Sequence, residues 1–207
     1  MQKIVLLVLT DNWADWEAAY AVAGINEEPD YTVKTIAVDL LPKISIGGLR
    51  TEIDYCIADF QDFGNVELVI LPGGYSWLEN RYDEIADFIK RAVGSGAHVA
   101  AMCGATLFLA KHGFLNEIKH TGDEQEYFQE KLKDEKCYEG KQRFVSAQLV
   151  NDGGFITANE TAAVEFATEI FRQLGIAPDD EIDLWYGKFK NGMFQKMRNE
   201  EGHGLPS

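Results

Sequence analysis

The chain has 207 residues, of which 46% are hydrophobic and 26% are charged, and it contains only 5 prolines. This composition is typical of one compact soluble domain and excludes a disordered chain, a fibrous repeat and a disulfide-stapled miniprotein. Acidic residues number 34 and basic residues 19, so the formal charge is -15. Such a surface repels phosphate backbones and anionic lipids, which excludes nucleic acid and membranes as expected partners.

The first apolar run covers residues 4–9 and stops at Asp11, which is too short for the apolar region of a secretion signal. No stretch approaches the ~18 apolar residues that span a bilayer. The three cysteines are Cys56, Cys103 and Cys137, an odd number at wide spacing with no Cys-x-x-Cys pair. This pattern predicts a cytoplasmic, reduced protein without a disulfide framework.

Apolar runs alternate with amphipathic segments along the chain. We expect strands at about 4–9, 32–38, 44–46, 50–54, 67–71, 98–102, 144–150 and 155–158. We expect helices at about 15–23, 82–93, 105–111, 124–133 and 161–174. Strands that alternate with helices predict an α/β fold, a flavodoxin-like sandwich whose mostly parallel sheet has helices on both faces.

Two further features concern the end of the chain. The turn sequence Asn-Asp-Gly-Gly at 151–154 predicts a hairpin between the last two strands. We treat residues 1–207 as a single domain with a core at 1–175 and a C-terminal extension at 176–207. The extension is apolar enough beyond residue 179 to dock as a helix, whereas 199–207 is polar and is predicted to be frayed.

Ligands of open parallel sheets bind outside the carboxyl ends of the strands. At one such end, Cys103 is flanked by small residues and followed at once by a helix, which is the layout of a nucleophile elbow. The amides and dipole at a helix start lower a thiol pKa, so we expect Cys103 to be partly thiolate at neutral pH. The alternative is that Cys103 is a buried small apolar residue, as most free cysteines are.

A second strand ends in Pro-Gly-Gly at 72–74. The backbone amides of Gly74 and Gly104 could together form a two-donor oxyanion hole facing Cys103. The alternative is an ordinary tight turn.

Four segments together resemble the ThiJ/PfpI family of the class I glutamine amidotransferase-like superfamily. They are Leu-Pro-Gly-Gly at 71–74, Ala-Ala-Met-Cys-Gly-Ala-Thr at 100–106, a Glu in the first helix after a Trp-rich loop, and Ile-Thr-Ala-Asn-Glu-Thr-Ala at 156–162. The resemblance covers about residues 1–175. It implies a flavodoxin-like sandwich, a reactive cysteine at Cys103, a partner carboxyl at Glu17, oxyanion-hole amides at Gly74 and Gly104, and a homodimer.

Glu17 also has a role that follows from elementary electrostatics. A carboxyl in a desolvated pocket beside a thiolate has a raised pKa. Its protonated form can donate a hydrogen bond to the sulfur or to an oxidised sulfur, and its ionised form can act as a general base. The alternative is an acid at a helix N-terminus that is stabilised by the helix dipole.

The catalytic histidine is the open point of the pattern. Protease-like members of the family follow the cysteine with His, whereas this chain has Gly104. His120 is our candidate for a base brought from another segment. In the alternative registration Asp123 occupies the histidine position and a Cys-His triad is absent. The four histidines show no metal-ligand spacing and no dinucleotide fingerprint follows the first strand, so neither a metal nor another cofactor is expected.

Aromatic residues lie in the two strand-end loops beside the candidate site. They are Trp13, Trp16, Tyr75 and Trp77. These side chains could wall a pocket for a small-molecule substrate. Dimer contacts or loop packing explain them equally well.

Two functions fit these residues. The first is a cysteine-dependent enzyme that acts on a small carbonyl or amide substrate, with amidase-like, hydrolase-like or glyoxalase-like chemistry. The second is a redox or stress sensor without turnover, in which Cys103 is oxidised to a sulfinate. Glutamine amidotransferase activity is disfavoured because the late segment at 155–160 carries no His-x-Glu.

Overall fold

The computed structural model describes residues 2–79 and 82–194. The strands are β1 (Lys3–Val8), β2 (Tyr31–Ala37), β3 (Lys43–Ile44), β4 (Arg50–Thr51), β5 (Tyr55–Cys56), β6 (Val66–Leu71), β7 (His98–Met102), β8 (Leu149–Asp152) and β9 (Phe155–Ala158). The helices are α1 (Asp15–Glu27), α2 (Ser76–Glu79), α3 (Asp83–Gly94), α4 (Gly104–Lys111), α5 (Gln125–Leu132), α6 (Ala163–Leu174) and α7 (Asp179–Asn191). The predicted frayed segment at 199–207 lies outside the described residues.

Seven of the strands form one sheet in the order β5-β2-β1-β6-β7-β9-β8. All neighbours pair in parallel except β8, which runs antiparallel to β9 at the edge. The apolar run of β1 is buried from Val5 to Val8, because helices cover both faces of a parallel sheet. The predicted α/β, flavodoxin-like fold class is confirmed.

The long strand expected at 144–150 is wrong in its extent. The sheet takes up only β8, in which Leu149 pairs with Ala158, the last residue of β9. Residues before 149 therefore lie beyond the end of β9, and Phe144 instead forms an isolated parallel bridge with His120. The hairpin itself is present, and its two-residue loop is Gly153-Gly154 with φ angles of 57° and 85°, the positive values that such tight hairpin loops require.

The core lies in two layers, one on each face of the sheet. One layer packs α3 and α4 against the sheet, and the other packs α1 and α6. Helices α1 and α6 approach closely at Gly24, where a Cβ atom would clash with the ring of Phe171. Helix α7 follows α6 after a short connection and contributes the buried Ile182 to the second layer.

The described residues include no helix that is both long enough and apolar enough to cross a bilayer.

The close approach at Gly24 yields a stability prediction. We expect Gly24→Ala to destabilise the fold by about 1–3 kcal/mol through overpacking against Phe171, which outweighs the ~1 kcal/mol that Ala gains over Gly in a helix. Gly187→Ala is the matched control, because it also lies within a helix but has no heavy atom within 4 Å of the new Cβ. The control should be neutral or stabilising in chemical denaturation. Equal stabilisation by both substitutions would contradict the helix packing described.

Candidate active site

Cys103 lies between the end of β7 and the start of α4. Its backbone has φ 48° and ψ -125°, a conformation that is strained for a residue with a side chain and typical of a nucleophile elbow. The Cys103 amide donates to the carbonyl oxygen of Ala158 at 3.0 Å. The Cys103 carbonyl accepts from the Thr106 amide at 2.9 Å and from its hydroxyl at 2.6 Å. Hydrogen bonds on both sides of the residue thus hold the strained turn.

Glu17 lies in the first turns of α1 and is fully buried. Its Oε2 accepts a hydrogen bond of 2.5 Å from the Gly73 amide, while its Oε1 has no hydrogen-bond partner. A Cβ atom at Gly73 would lie 2.7 Å from Cβ of Cys103 and 2.8 Å from Oε2 of Glu17. The carboxyl and the cysteine therefore meet at a position where only glycine fits.

Burial changes the proton affinity of both groups. It raises the pKa of Glu17 to about 8, with the negative charges of Asp123 and Glu160 adding to the effect and the Gly73 hydrogen bond opposing it. Burial and the nearby carboxyls of Glu17 and Asp123 also raise the pKa of the Cys103 thiol, although the Gly104 amide favours the thiolate. The expectation of a partly ionised thiol at neutral pH is therefore wrong for the free protein, because desolvation outweighs the helix-start amides.

Two more carboxyl groups complete the surroundings of the thiol. One carboxylate oxygen of Asp123, one of Glu160 and the sulfur of Cys103 all lie within 4.8 Å of one another. The Glu160 amide also donates to Oδ1 of Asp123 at 3.0 Å, which joins the loop before α5 to the loop after β9. Sequence reasoning offered Asp123 only as an alternative registration and gave Glu160 no role.

His120 lies elsewhere in the fold. It is fully buried, and its Nδ1 and Nε2 lie 2.9 Å from the carbonyl oxygen of Ile118 and 2.8 Å from the hydroxyl of Tyr138. Burial lowers the pKa of its imidazole, and its ring packs beside Phe128 and Phe144. The structure thus brings Asp123, and not His120, to the cysteine.

The pocket above Cys103 has a volume of about 350 Å³. Two of the four predicted aromatic wall residues, Trp16 and Tyr75, line it. Trp77 is instead fully buried and donates from Nε1 to the Pro72 carbonyl oxygen at 2.8 Å. Trp13 is also buried and supports the site through its backbone, which bridges to Gly74. The described residues that line the pocket are Ala14, Trp16, Glu17, Ile46, Gly74, Tyr75, Leu78, Cys103, Gly104, Asp123, Glu124, Tyr127 and Glu160.

Both glycines of the predicted oxyanion hole line this pocket. Gly74 has a φ of 145°, and a Cβ atom at Gly104 would lie 2.9 Å from the Gly74 carbonyl oxygen. The two backbones therefore approach each other more closely than a side chain at Gly104 would allow. That the amides of Gly74 and Gly104 act as oxyanion donors stays a prediction.

A larger cavity of about 620 Å³ adjoins the pocket and shares Asp123, Glu124 and Glu160 with it. Most of its other lining side chains carry an amide or a hydroxyl, among them Gln125 and Asn159. The carboxyls beside the thiol thus stand at the junction of the two cavities.

Comparisons with known proteins agree with this architecture. The model of the DJ-1/PfpI family matches residues 2–173. Two curated proteins of Bacillus subtilis (strain 168) are similar, each over 88% of both chains: "Uncharacterized protease YdeA" at 37% identity and "Uncharacterized protease YoaZ" at 31%.

Solved structures give the same result. A thiJ/pfpI family protein from Bacillus anthracis has a TM-score of 0.85 at 29% identity and covers 96% of this chain and 95% of its own. The DJ-1 superfamily protein Atu0886 from Agrobacterium tumefaciens has a TM-score of 0.81 at 28% identity, over 92% of this chain and 100% of its own.

The raised pKa of Glu17 predicts how stability depends on pH. The folded state holds this proton up to about pH 8, whereas the free side chain has a pKa of 4.5. The contribution of Glu17 to stability is therefore full below pH 4.5 and is lost progressively as the pH rises towards 8. Between pH 5 and 8.5, the free energy of unfolding of Glu17→Gln should increase relative to wild type by on the order of a few kcal/mol.

Chemical denaturation across this pH range measures the effect. Glu27→Gln is the control, because Glu27 is an exposed glutamate on the same helix, and its curve should parallel that of wild type. A constant difference between Glu17→Gln and wild type would contradict the burial of a protonated carboxyl.

Proposed function

Because the chain belongs to the DJ-1/PfpI family, we propose that it is a cysteine-dependent enzyme that acts on a small carbonyl substrate. Cys103 is the nucleophile, and Glu17 is the acid and base. The observation that carries the proposal is the contact of a buried carboxyl with a cysteine on a strained elbow, within one pocket. Strain and burial of this kind cluster at catalytic sites.

The pocket dimensions favour a small substrate. A volume of about 350 Å³ lies at the lower end of small-molecule sites. Trp16, Tyr75 and Leu78 supply apolar surface, and Glu17 and Cys103 line the same pocket. A pocket of this volume suits an aldehyde of a few carbons.

The first chemical step is addition of the thiol to a carbonyl carbon. The sulfur forms a bond to the carbon, and the C=O π electrons move to the oxygen, which in this proposal accepts hydrogen bonds from the amides of Gly74 and Gly104. Glu17, in its ionised form, takes the thiol proton and returns it to the oxygen. The product is a hemithioacetal, and no redox partner is needed.

A 2-oxoaldehyde allows the reaction to continue with the same residues. Glu17 removes the proton from the carbon bonded to sulfur and delivers it to the neighbouring carbonyl carbon, while the hydroxyl proton of the hemithioacetal passes to the oxygen of that neighbouring carbon. The hemithioacetal thereby becomes a thioester of a 2-hydroxy acid. Water then attacks the thioester carbon, the C–S bond breaks, and the thiol regains its proton. The net reaction adds one water to the 2-oxoaldehyde.

A carbonyl substrate suits this pocket better than an amide. An amide leaving group must be protonated as it departs, and histidine commonly supplies that proton. No histidine lines the pocket among the described residues. His120 forms hydrogen bonds with Ile118 and Tyr138 instead. Proton transfer between two carbons needs only Glu17.

The sensor alternative has weaker support. A protonated Glu17 could hold a sulfinate, but the carboxyls of Asp123 and Glu160 lie within 4.8 Å of the sulfur and would repel the new negative charge. The homodimer and the cytoplasmic location stay predictions from the sequence.

Substitution of Cys103 tests the proposal. With methylglyoxal as the probe, wild-type protein should form lactate, and Cys103→Ala should show none. Cys137→Ser replaces an exposed cysteine and should retain full activity. We expect Glu17→Gln to lower kcat by at least about 100-fold, the usual contribution of a general base. Lactate formation by Cys103→Ala would overturn the proposal, and so would cleavage of chromogenic amides by a protein that leaves the aldehyde unchanged.

The pH profile provides an independent test. Both Glu17 and Cys103 retain their protons below pH 8, and the reactive form has lost one proton from this pair. The value of kcat/KM should therefore rise with pH by up to about tenfold per unit and level off above about pH 8. A profile that is flat or falling between pH 6 and 9 would contradict the assigned role of Glu17.

A further inference from the structure

Three candidate metal ligands meet beside the elbow although they come from distant parts of the chain. They are the sulfur of Cys103 after β7, a carboxylate oxygen of Asp123 before α5 and a carboxylate oxygen of Glu160 after β9. All three atoms lie within 4.8 Å of one another. Movements of the side-chain tips of under about 1 Å would bring them to the 2.0–2.3 Å bonds that zinc makes with oxygen and sulfur.

The charge around this cluster favours a cation. Glu17 and Glu124 also line the pocket, and the described lining residues include no Lys, Arg or His. Glu160 is exposed and Asp123 is half-buried, so the cluster is open to ions from solvent. The carboxyls thus face the thiol without a positive side chain between them in the described part of the pocket.

A buried, unpartnered oxygen in the same pocket is the second observation. Glu17 is fully buried, and its Oε1 has no hydrogen-bond partner. Buried polar atoms without a partner are uncommon and call for a ligand, an ion or a water. Because Glu17 keeps its proton below about pH 8, a metal-bound thiolate at Cys103 would accept the hydrogen bond that this carboxyl can donate.

From this arrangement we infer a binding site for a divalent cation of the zinc class, held by Cys103, Asp123 and Glu160. The thiolate excludes Mg²⁺ and Ca²⁺ as preferred ions, because both take oxygen ligands, whereas Zn²⁺ accepts sulfur and oxygen together. Three protein ligands leave the fourth tetrahedral position open to water. Binding breaks the S–H bond, forms a metal–sulfur bond and releases one proton to solvent.

One consequence rests on the proposed function. A sulfur lone pair that is bound to the metal cannot attack a carbonyl carbon. Zinc should therefore inhibit turnover, and a chelator should restore it. Metal binding at this site thus regulates the availability of Cys103 and takes no part in the reaction itself.

Titration of the tag-free, reduced protein with Co²⁺ tests the site. We expect a thiolate-to-cobalt charge-transfer band in the near ultraviolet that saturates at one ion per chain and disappears when Zn²⁺ is added. Cys103→Ser should lose the band, whereas Cys137→Ser should keep it. The band is read without substrate, so a failure of the aldehyde assay leaves this result unaffected.

Carboxyl variants identify the other two ligands. Asp123→Asn and Glu160→Gln should each weaken Co²⁺ binding by at least about tenfold. Glu124→Gln is the matched control, because it removes a carboxyl of the same pocket that is outside the cluster, and it should weaken binding much less than either ligand variant does. Circular dichroism verifies that each variant is folded. The inference is overturned if wild type shows no band, if Cys103→Ser keeps it, or if Glu124→Gln weakens binding as much as Asp123→Asn does.

Discussion

The position of one glycine determines the geometry of the site. Gly73 leaves no room for a side chain between the carboxyl of Glu17 and the Cβ atom of Cys103, and its amide is the hydrogen-bond donor to that carboxyl. Three strand ends converge there, because β1 leads into α1, β6 ends just before Gly73 and β7 ends at the elbow. Glu17 is fully buried and Cys103 is partly buried, so each retains its proton beyond its usual pH range.

Much of this arrangement could be predicted from local sequence. Apolar runs that end in small residues predicted the strands, and the residues after Met102 predicted the elbow with Cys103 at its turn. The positions of Asp123 and Glu160 beside the Cys103 sulfur could not be predicted in this way, since they depend on how two loops fold back on the sheet. His120 shows the same limitation. Its ring forms hydrogen bonds with the Ile118 carbonyl and the Tyr138 hydroxyl, and the local sequence does not indicate that Tyr138 lies beside it.

Burial accounts for the remaining differences between sequence and structure. A helix start does favour a thiolate, and the Gly104 amide acts in that direction, but the sequence does not reveal how deeply Cys103 lies or which carboxyls surround it. Likewise, Trp77 lies two residues after Tyr75 in the short helix α2, yet its ring packs in the core against Phe108. Position along the chain identified the loops of the site, whereas side-chain direction required the packed structure.

Helix α1 extends from Glu17 in the site to Gly24, where it packs against α6. Glu17 and Gly24 are about two helical turns apart and therefore lie on the same face of α1. Gly24 is the point at which α1 rests against Phe171 of α6. The packing of α1 against α6 outside the pocket thus helps to position the carboxyl of Glu17. Substitutions on α6 that touch no substrate could then alter the acidity of Glu17, which gives evolution a way to tune the chemistry without changing a residue of the pocket.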